Sequence, residues 1–382
     1  MTRRLVQYFA LAAMVLGVPL ICAWLGGRRE LLEGVCAFPP RTEDWGINPT
    51  KLWNMRRPFS WPVFIAMAGF ILAAVAPFAR RIALGAATMK PHTAPATHSR
   101  FPWFGWAGLA LCAGGWWLAW NRFAWCAWFQ PHTFLPLWAG YILVMNALCV
   151  QRSGQCLMTS HPGPYAMLFP ASAAFWWFFE YLNRYVWNWY YQGVEGMGAA
   201  EYAFFATCSF ATVLPAVTAT AAWLGTFRPL ADERLCGFAR FNIRSKAGVI
   251  GLMLAAAIGL TGIVFCPDKT YPLLWISPLA MFLAVHVLMG SETVLDDLAL
   301  GDWRLVVRFA LASLICGLFW EMWNWHSYAK WIYAVPYVHA FQVFEMPALG
   351  FAGYLPFGLE CAAVAAWILP ALAGHHARKR MD

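Results

Sequence analysis

The sequence predicts an all-α, polytopic membrane protein of about ten transmembrane helices, arranged as a leading hairpin followed by two parallel four-helix repeats. Three observations predict it. Of 382 residues, 61% are hydrophobic and 12% charged, with a mean hydropathy of +0.54, whereas soluble domains carry about 25% charged residues. Ten apolar runs are long enough to cross a hydrocarbon core, which takes around 20 helical residues. Two aromatic segments, 175–191 (FWWFFEYLNRYVWNWYY) and 316–333 (CGLFWEMWNWHSYAKWIY), carry the same polar pair: Glu180 and Asn183 recur as Glu321 and Asn324, both at the same offset along the chain.

The runs fall at approximately 5–25, 61–79, 103–120, 134–150, 166–183, 203–224, 247–265, 272–290, 305–323 and 350–373. No water reaches the bilayer core, so each must be a helix whose backbone bonds close internally. The runs are continuous rather than alternating in polarity, which excludes a barrel. The first run, Leu5 to Leu25 after Arg3 and Arg4, exceeds the roughly 7–15 residues of a signal-peptide core and lacks an A-x-A site; it reads as an uncleaved span.

Residues 1–80 form an N-terminal transmembrane hairpin with its outer loop, and 81–102, with Pro91, His92 and Pro95, a cytoplasmic linker. The first four-helix repeat covers 103–227, a basic cytoplasmic loop 228–246, and the second repeat 247–382, with an aromatic outer segment and a basic tail. The echo extends to Phe129–Trp138 against Phe265–Trp275. An even number of spans per unit gives both units the same orientation about a pseudo-two-fold axis along the membrane normal, as in parallel transporter repeats.

With the N-terminus inside, 17 of the 27 Lys and Arg residues lie on the cytoplasmic side, and six of the other 10 sit in the loop 26–60. That bias orients a membrane protein and places both termini in the cytoplasm. It also accounts for the net charge of +9, since no soluble basic domain exists to hold nucleic acid. The 11 cysteines show neither CxxC nor metal-ligand spacing. Cys126 and Cys266, near the ends of the third and seventh spans, either pair or serve as small apolar filler.

Five acids sit in or beside apolar runs: Glu180, Glu201, Glu321, Glu345 and Glu360. An ionised side chain at the bilayer centre costs at least about 2.5–3.5 kcal/mol, so such groups face protein or water and mark function. Glu and Asn three positions apart share a helical face. One reading has the carboxylates converge on the pseudo-axis to hold a proton or a cation. The other has each Glu bond its neighbouring Asn and a Trp indole as interhelical glue, with Arg184 an ion-pair partner for Glu180.

The second copy is the candidate active one. Glu321 and Glu345, with Asn324, His326 and His339, are the candidate catalytic residues. Trp320, Trp323, Trp325, Tyr328 and Trp331, with Glu180, Asn183 and Glu360, are the candidate substrate-binding lining. Pro336 and Pro347 break any helix there, and irregular backbone at membrane depth is tolerated only where it is buried or lines a cavity. His286 reads as a satisfied core residue, and Asp296 with Asp297 as a solvated loop lacking a diphosphate-binding pattern. No metal is assigned, haem lacks opposed histidines, and the cofactor stays unknown.

The strings 319–325 (FWEMWNW) and 344–361 (FEMPALGFAGYLPFGLEC) together resemble a family of uncharacterised multi-pass bacterial inner-membrane proteins. The resemblance implies a location in the bacterial cytoplasmic membrane and no activity. Residues 319–361 are also similar in general character to membrane-type lycopene cyclases, which combine carboxylates with aromatic residues in repeated helical units, although their paired-glutamate motif is missing. The expected partners are membrane lipids and a hydrophobic or amphipathic small molecule. The expected function is an intramembrane enzyme in which a glutamate works as general acid or base on a lipid or isoprenoid-like substrate. A proton- or cation-coupled carrier or flippase, and a membrane scaffold, are the alternatives.

Overall fold

The computed structural model describes residues 2–28, 58–88, 99–231 and 235–369. Most of the first inter-helix loop, the middle of the linker and the basic tail lie outside the described residues.

The protein is predominantly helical. Helices α1 (Thr2–Leu25) and α2 (Trp61–Thr88) lead, and α2 continues as helix past residue 80. Then follow α3 (Trp103–Trp120), α4 (Phe134–Ser153), α5 (Pro162–Val186), strand β1 (Trp189–Gln192), α6 (Ala199–Phe210) and α7 (Val213–Leu224). The remainder comprises α8 (Lys246–Phe265), α9 (Ser277–Leu288), α10 (Arg304–Trp325), strand β2 (Lys330–Tyr333), the short strands β3 (Gln342–Val343) and β4 (Met346–Pro347), and α11 (Tyr354–Ile368).

Every one of the ten apolar runs carries helix. Among the described residues, however, six helical segments are long and apolar enough to span a membrane: 61–84, 134–153, 199–224, 246–265, 304–325 and 348–368. A seventh is counted if Pro267–Trp275 and Ser277–Leu288, bent by 50°, form one span. Helix α3 falls short because tryptophan and glycine replace aliphatic side chains, with Trp103, Trp106, Trp116, Trp117 and Trp120, and α5 because it carries Pro170, Glu180, Asn183 and Arg184 among its aromatic residues. Six or seven of the ten expected spans therefore meet this length and apolarity among the described residues.

The core is a bundle of α5, α7, α10 and α11, with α3 and α4 packed on one side and α8 and α9 on the other. Small residues set the closest approaches, as lipid-embedded helices require. A Cβ on Gly108 would meet the Gly140 carbonyl at 2.8 Å, and one on Gly140 the Gly108 carbonyl at 2.7 Å, which presses α3 against α4. At one end of the bundle β1 and β2 form an antiparallel ladder, Trp189 opposite Tyr333 and Tyr191 opposite Trp331. The ladder ties the segment after α5 to the segment after α10.

Helix α2 stands apart. Its start is held by the Ser60 N–H donating to the Tyr337 carbonyl (2.9 Å) and by Phe59, Trp61 and Phe64 packed around Phe341. Its other end is held by Phe78 stacked on Phe238 (4.6 Å) and by Arg81 over the same ring (3.9 Å). Between these anchors no residue from 61 to 84 is buried. The Cys126 and Cys266 thiols are both free, so the pairing considered for them does not form.

Candidate functional site

The two glutamate–asparagine pairs are built alike. Helical spacing puts Glu and Asn on one face, and the strand that follows puts every second side chain on one face. The Asn183 carboxamide donates to the Trp189 carbonyl (2.7 Å) and accepts from the Asn188 and Trp189 N–H groups (2.8 and 3.3 Å). Asn324 does the same for Trp331, donating at 2.7 Å and accepting at 2.8 Å. Each Asn therefore docks the head of a strand, and Trp and Tyr two positions apart swing toward the Glu one turn back along the helix.

Glu180 Oε1 accepts from the Trp176 and Trp189 indoles, each at 3.0 Å, and from the Tyr191 hydroxyl at 2.6 Å. Glu321 Oε1 accepts from the Tyr333 and Tyr354 hydroxyls, each at 2.7 Å, and more weakly from the Trp331 indole at 3.4 Å. Both side chains are buried, Glu180 4% and Glu321 0% exposed, and Glu321 Oε2 has no hydrogen-bond partner. Carboxylates out of water need such donors, because a buried acceptor without one costs about 1–3 kcal/mol.

One difference between the two sites is compensated. The counterpart of Trp176, at the offset that relates Glu180 to Glu321, is Gly317, where a Cβ would collide with the Tyr354 ring. In one site an indole from the helix itself supplies the third donor; in the other a glycine clears the space and α11 supplies a phenol.

The donors are also walls. A cavity of about 740 Å³ is lined by Trp176, Trp189, Tyr191, Trp331, Tyr333 and Tyr354 beneath the ladder, with Trp275 and Trp320 beside them. This lies within the roughly 300–1,000 Å³ of small-molecule sites. Phe134 lies 6.0 Å from Trp331, and Trp275, at the end of the segment that echoes Phe129–Trp138, lies 5.8 Å from Trp189. The middle of α2 closes one flank with Met67, Phe70, Ile71 and Ala74. Phe70 is 76% exposed while lining the cavity, so the flank opens sideways along α2.

Of the sequence-derived candidates, Trp320 and Trp331 line this cavity, and Glu321 and Glu180 sit behind its walls without lining it. Asn183 and Asn324 hold backbone. Glu345 is apart from Glu321's donors: it accepts from Lys330 at 2.6 Å, so Lys330 serves Glu345 and not Glu321. His326 is exposed against Trp325 and Trp120, and His339 packs near Phe59 at the start of α2. Neither lines the cavity. Trp323 is buried against Trp138, while Trp325 and Tyr328 are exposed, 41% and 49%. Glu360 accepts from the Leu279 N–H at 3.2 Å, bracing α11 on α9 away from the cavity. His286 accepts from the Trp367 indole at 2.9 Å. Asp296 is engaged by Arg244 at 2.6 Å. Among the described residues no three His, Cys, Asp or Glu side chains group as metal ligands.

The sequence reading missed Trp176, Trp189, Tyr191, Tyr333, Tyr354 and α2. A signal existed for three of them and for Trp331: each Asn is followed by Trp-x-Tyr, at Trp189–Tyr191 and Trp331–Tyr333. Tyr354 and α2 left none, being far away in the chain. No protein-family signature, curated protein or solved structure matches this chain.

Proposed function

We propose that this integral membrane protein takes a hydrophobic chain, of lipid or isoprenoid type, from the bilayer into the aromatic cavity through the flank beside α2. The observation that carries the reading is the apolar cavity of about 740 Å³ whose α2 wall is pinned at both ends and bare in the middle. Aromatic faces suit such a ligand, since they give large contact area with little side-chain entropy to lose. The glutamates are acceptors that turn the indole N–H and phenol O–H groups away from the cavity and keep its surface apolar.

An enzymatic step has one observation in its favour. Tyr333 and Tyr354 both touch Glu321 and line the cavity, so a proton could pass between Glu321 and a bound ligand through a phenol. Direct acid–base contact by Glu321, Glu345, His326 or His339 has no such support. Two parallel four-helix units descended from one ancestor, in the bacterial cytoplasmic membrane with both termini cytoplasmic, make up the rest of the proposal. The matching Asn–strand contacts and the offset shared by the Glu and Asn pairs, one residue longer for Trp189–Trp331 and Tyr191–Tyr333, support the duplication.

The test is the lipid that comes with the protein. Extraction and mass spectrometry should find one class of long-chain amphiphile enriched in the wild type and depleted in Ala74→Trp, which fills the cavity from an exposed helix position without disturbing the core. Equal lipid content in the two proteins, both folded, sinks the reading.

A further inference from the structure

The cavity has a polar point that its apolar walls do not explain. Asn188 precedes Trp189 at one end of the ladder, lines the cavity and is 4% exposed. Its Oδ1 is buried without a hydrogen-bond partner. Its backbone is fully engaged, the N–H donating to Asn183 Oδ1 at 2.8 Å and the carbonyl accepting from the Ala334 N–H at 2.8 Å. The fold therefore uses the main chain of Asn188 and leaves the carboxamide over. Buried polar groups in native proteins are nearly always satisfied, and the exceptions call for a cause.

The surroundings say what kind of head group belongs there. At the other end of the ladder Lys330 also lines the cavity. Its ammonium already donates to Glu345 at 2.6 Å and to the Trp325 carbonyl at 3.4 Å, so its charge is balanced. His132, another lining residue, is stacked on Phe205 at 3.6 Å, and burial lowers its pKa against the opposing pull of Glu201, which disfavours the charged ring. Neither basic group stands ready for an anionic head. Exchanging the oxygen and nitrogen of the Asn188 carboxamide would leave the same deficit with the opposite sense, and a hydroxyl, donor and acceptor at once, satisfies either.

We infer that the cavity's ligand is a neutral long-chain amphiphile with a hydroxyl head, received by the Asn188 carboxamide while its chain lies among Trp176, Trp189 and Trp275. This deepens the cavity reading above and rests on it. The experiment uses the full-length protein in phosphatidylcholine nanodiscs, with tryptophan fluorescence titrated by palmityl alcohol, hexadecane and palmityl phosphate. The wild type should bind the alcohol about tenfold more tightly than the hydrocarbon, the scale of one satisfied buried hydrogen bond. Asn188→Leu should lose that preference while binding hexadecane at least as well and keeping its unfolding temperature; Asn188→Ala repeats the reading where leucine does not fit. Equal binding of alcohol and hydrocarbon by the wild type, or a preference that survives in both variants, overturns the inference and leaves the cavity reading standing. Tighter binding of the phosphate than of the alcohol overturns it in favour of Lys330. Failure of all three probes to bind removes the cavity reading and the inference together.

Discussion

Glu321 is held by two phenols and an indole on a single oxygen, and the balance of that cluster sets what substitutions do. Glu321→Leu leaves the Tyr333 and Tyr354 hydroxyls without their acceptor, at about 1–3 kcal/mol each, while the Trp331 indole keeps the Tyr333 oxygen at 2.9 Å, so unfolding in detergent should show a loss of about 2 kcal/mol or more. Glu321→Gln keeps one carbonyl oxygen in place and should cost about 1 kcal/mol. An equal loss for both would mean that charge, not acceptor count, matters. Gly317→Ala puts a methyl into the Tyr354 ring; overpacking of this kind costs about 1–3 kcal/mol. Ala at the matching position of the other helix, Trp176→Ala, instead removes a donor and opens space, so only the Gly317 variant should regain stability when combined with Tyr354→Ala. At this scale the recurrence of Glu and Asn was legible, because a polar pair inside an apolar helix has few reasons to exist. Their partners were half legible: Trp-x-Tyr follows each Asn nearby, while Tyr354 comes from another helix 33 residues away.

The β1–β2 ladder is the element that joins the segment after α5 to the segment after α10, and its register decides whether the two glutamates share one roof. Tyr190 faces Ile332 across it, and directly opposed antiparallel residues bring their Cβ atoms to about 4.5–5.5 Å. Paired cysteines at these two positions, in a background with Cys266 replaced by serine, should cross-link under mild oxidation. With a protease site inserted in 228–246, the two halves of the chain should then migrate together on a gel until reduced. Separate migration under oxidising conditions would disprove the register. No sequence rule signalled the ladder, since both strands follow helices directly and read as their aromatic ends. Helix α2 is the opposite case: its existence and approximate start were plain from apolarity, but its position beside the cavity was not, because a uniformly apolar helix carries no mark of which neighbour it meets.

For the molecule as a whole, orientation rests on the bias of Lys and Arg between alternate loops. Reporter fusions at the two ends should both read as cytoplasmic: a green fluorescent protein fused to either end should fluoresce, and alkaline phosphatase should stay inactive. An active phosphatase at either terminus would reverse the assignment of sides. The membrane class, the helical state and the sites where buried carboxylates needed explaining followed from composition and spacing alone, because burial in lipid forbids unpaired backbone and makes each charged group conspicuous. Which side chains meet those carboxylates, that they stand behind the cavity walls and do not line them, and that Glu345, His326 and His339 serve elsewhere were decided only by tertiary packing. Contacts among interchangeable aromatic rings depend on the close approach of α5, α10 and α11 and on the ladder across them, and neither hydropathy nor local spacing encodes those distances.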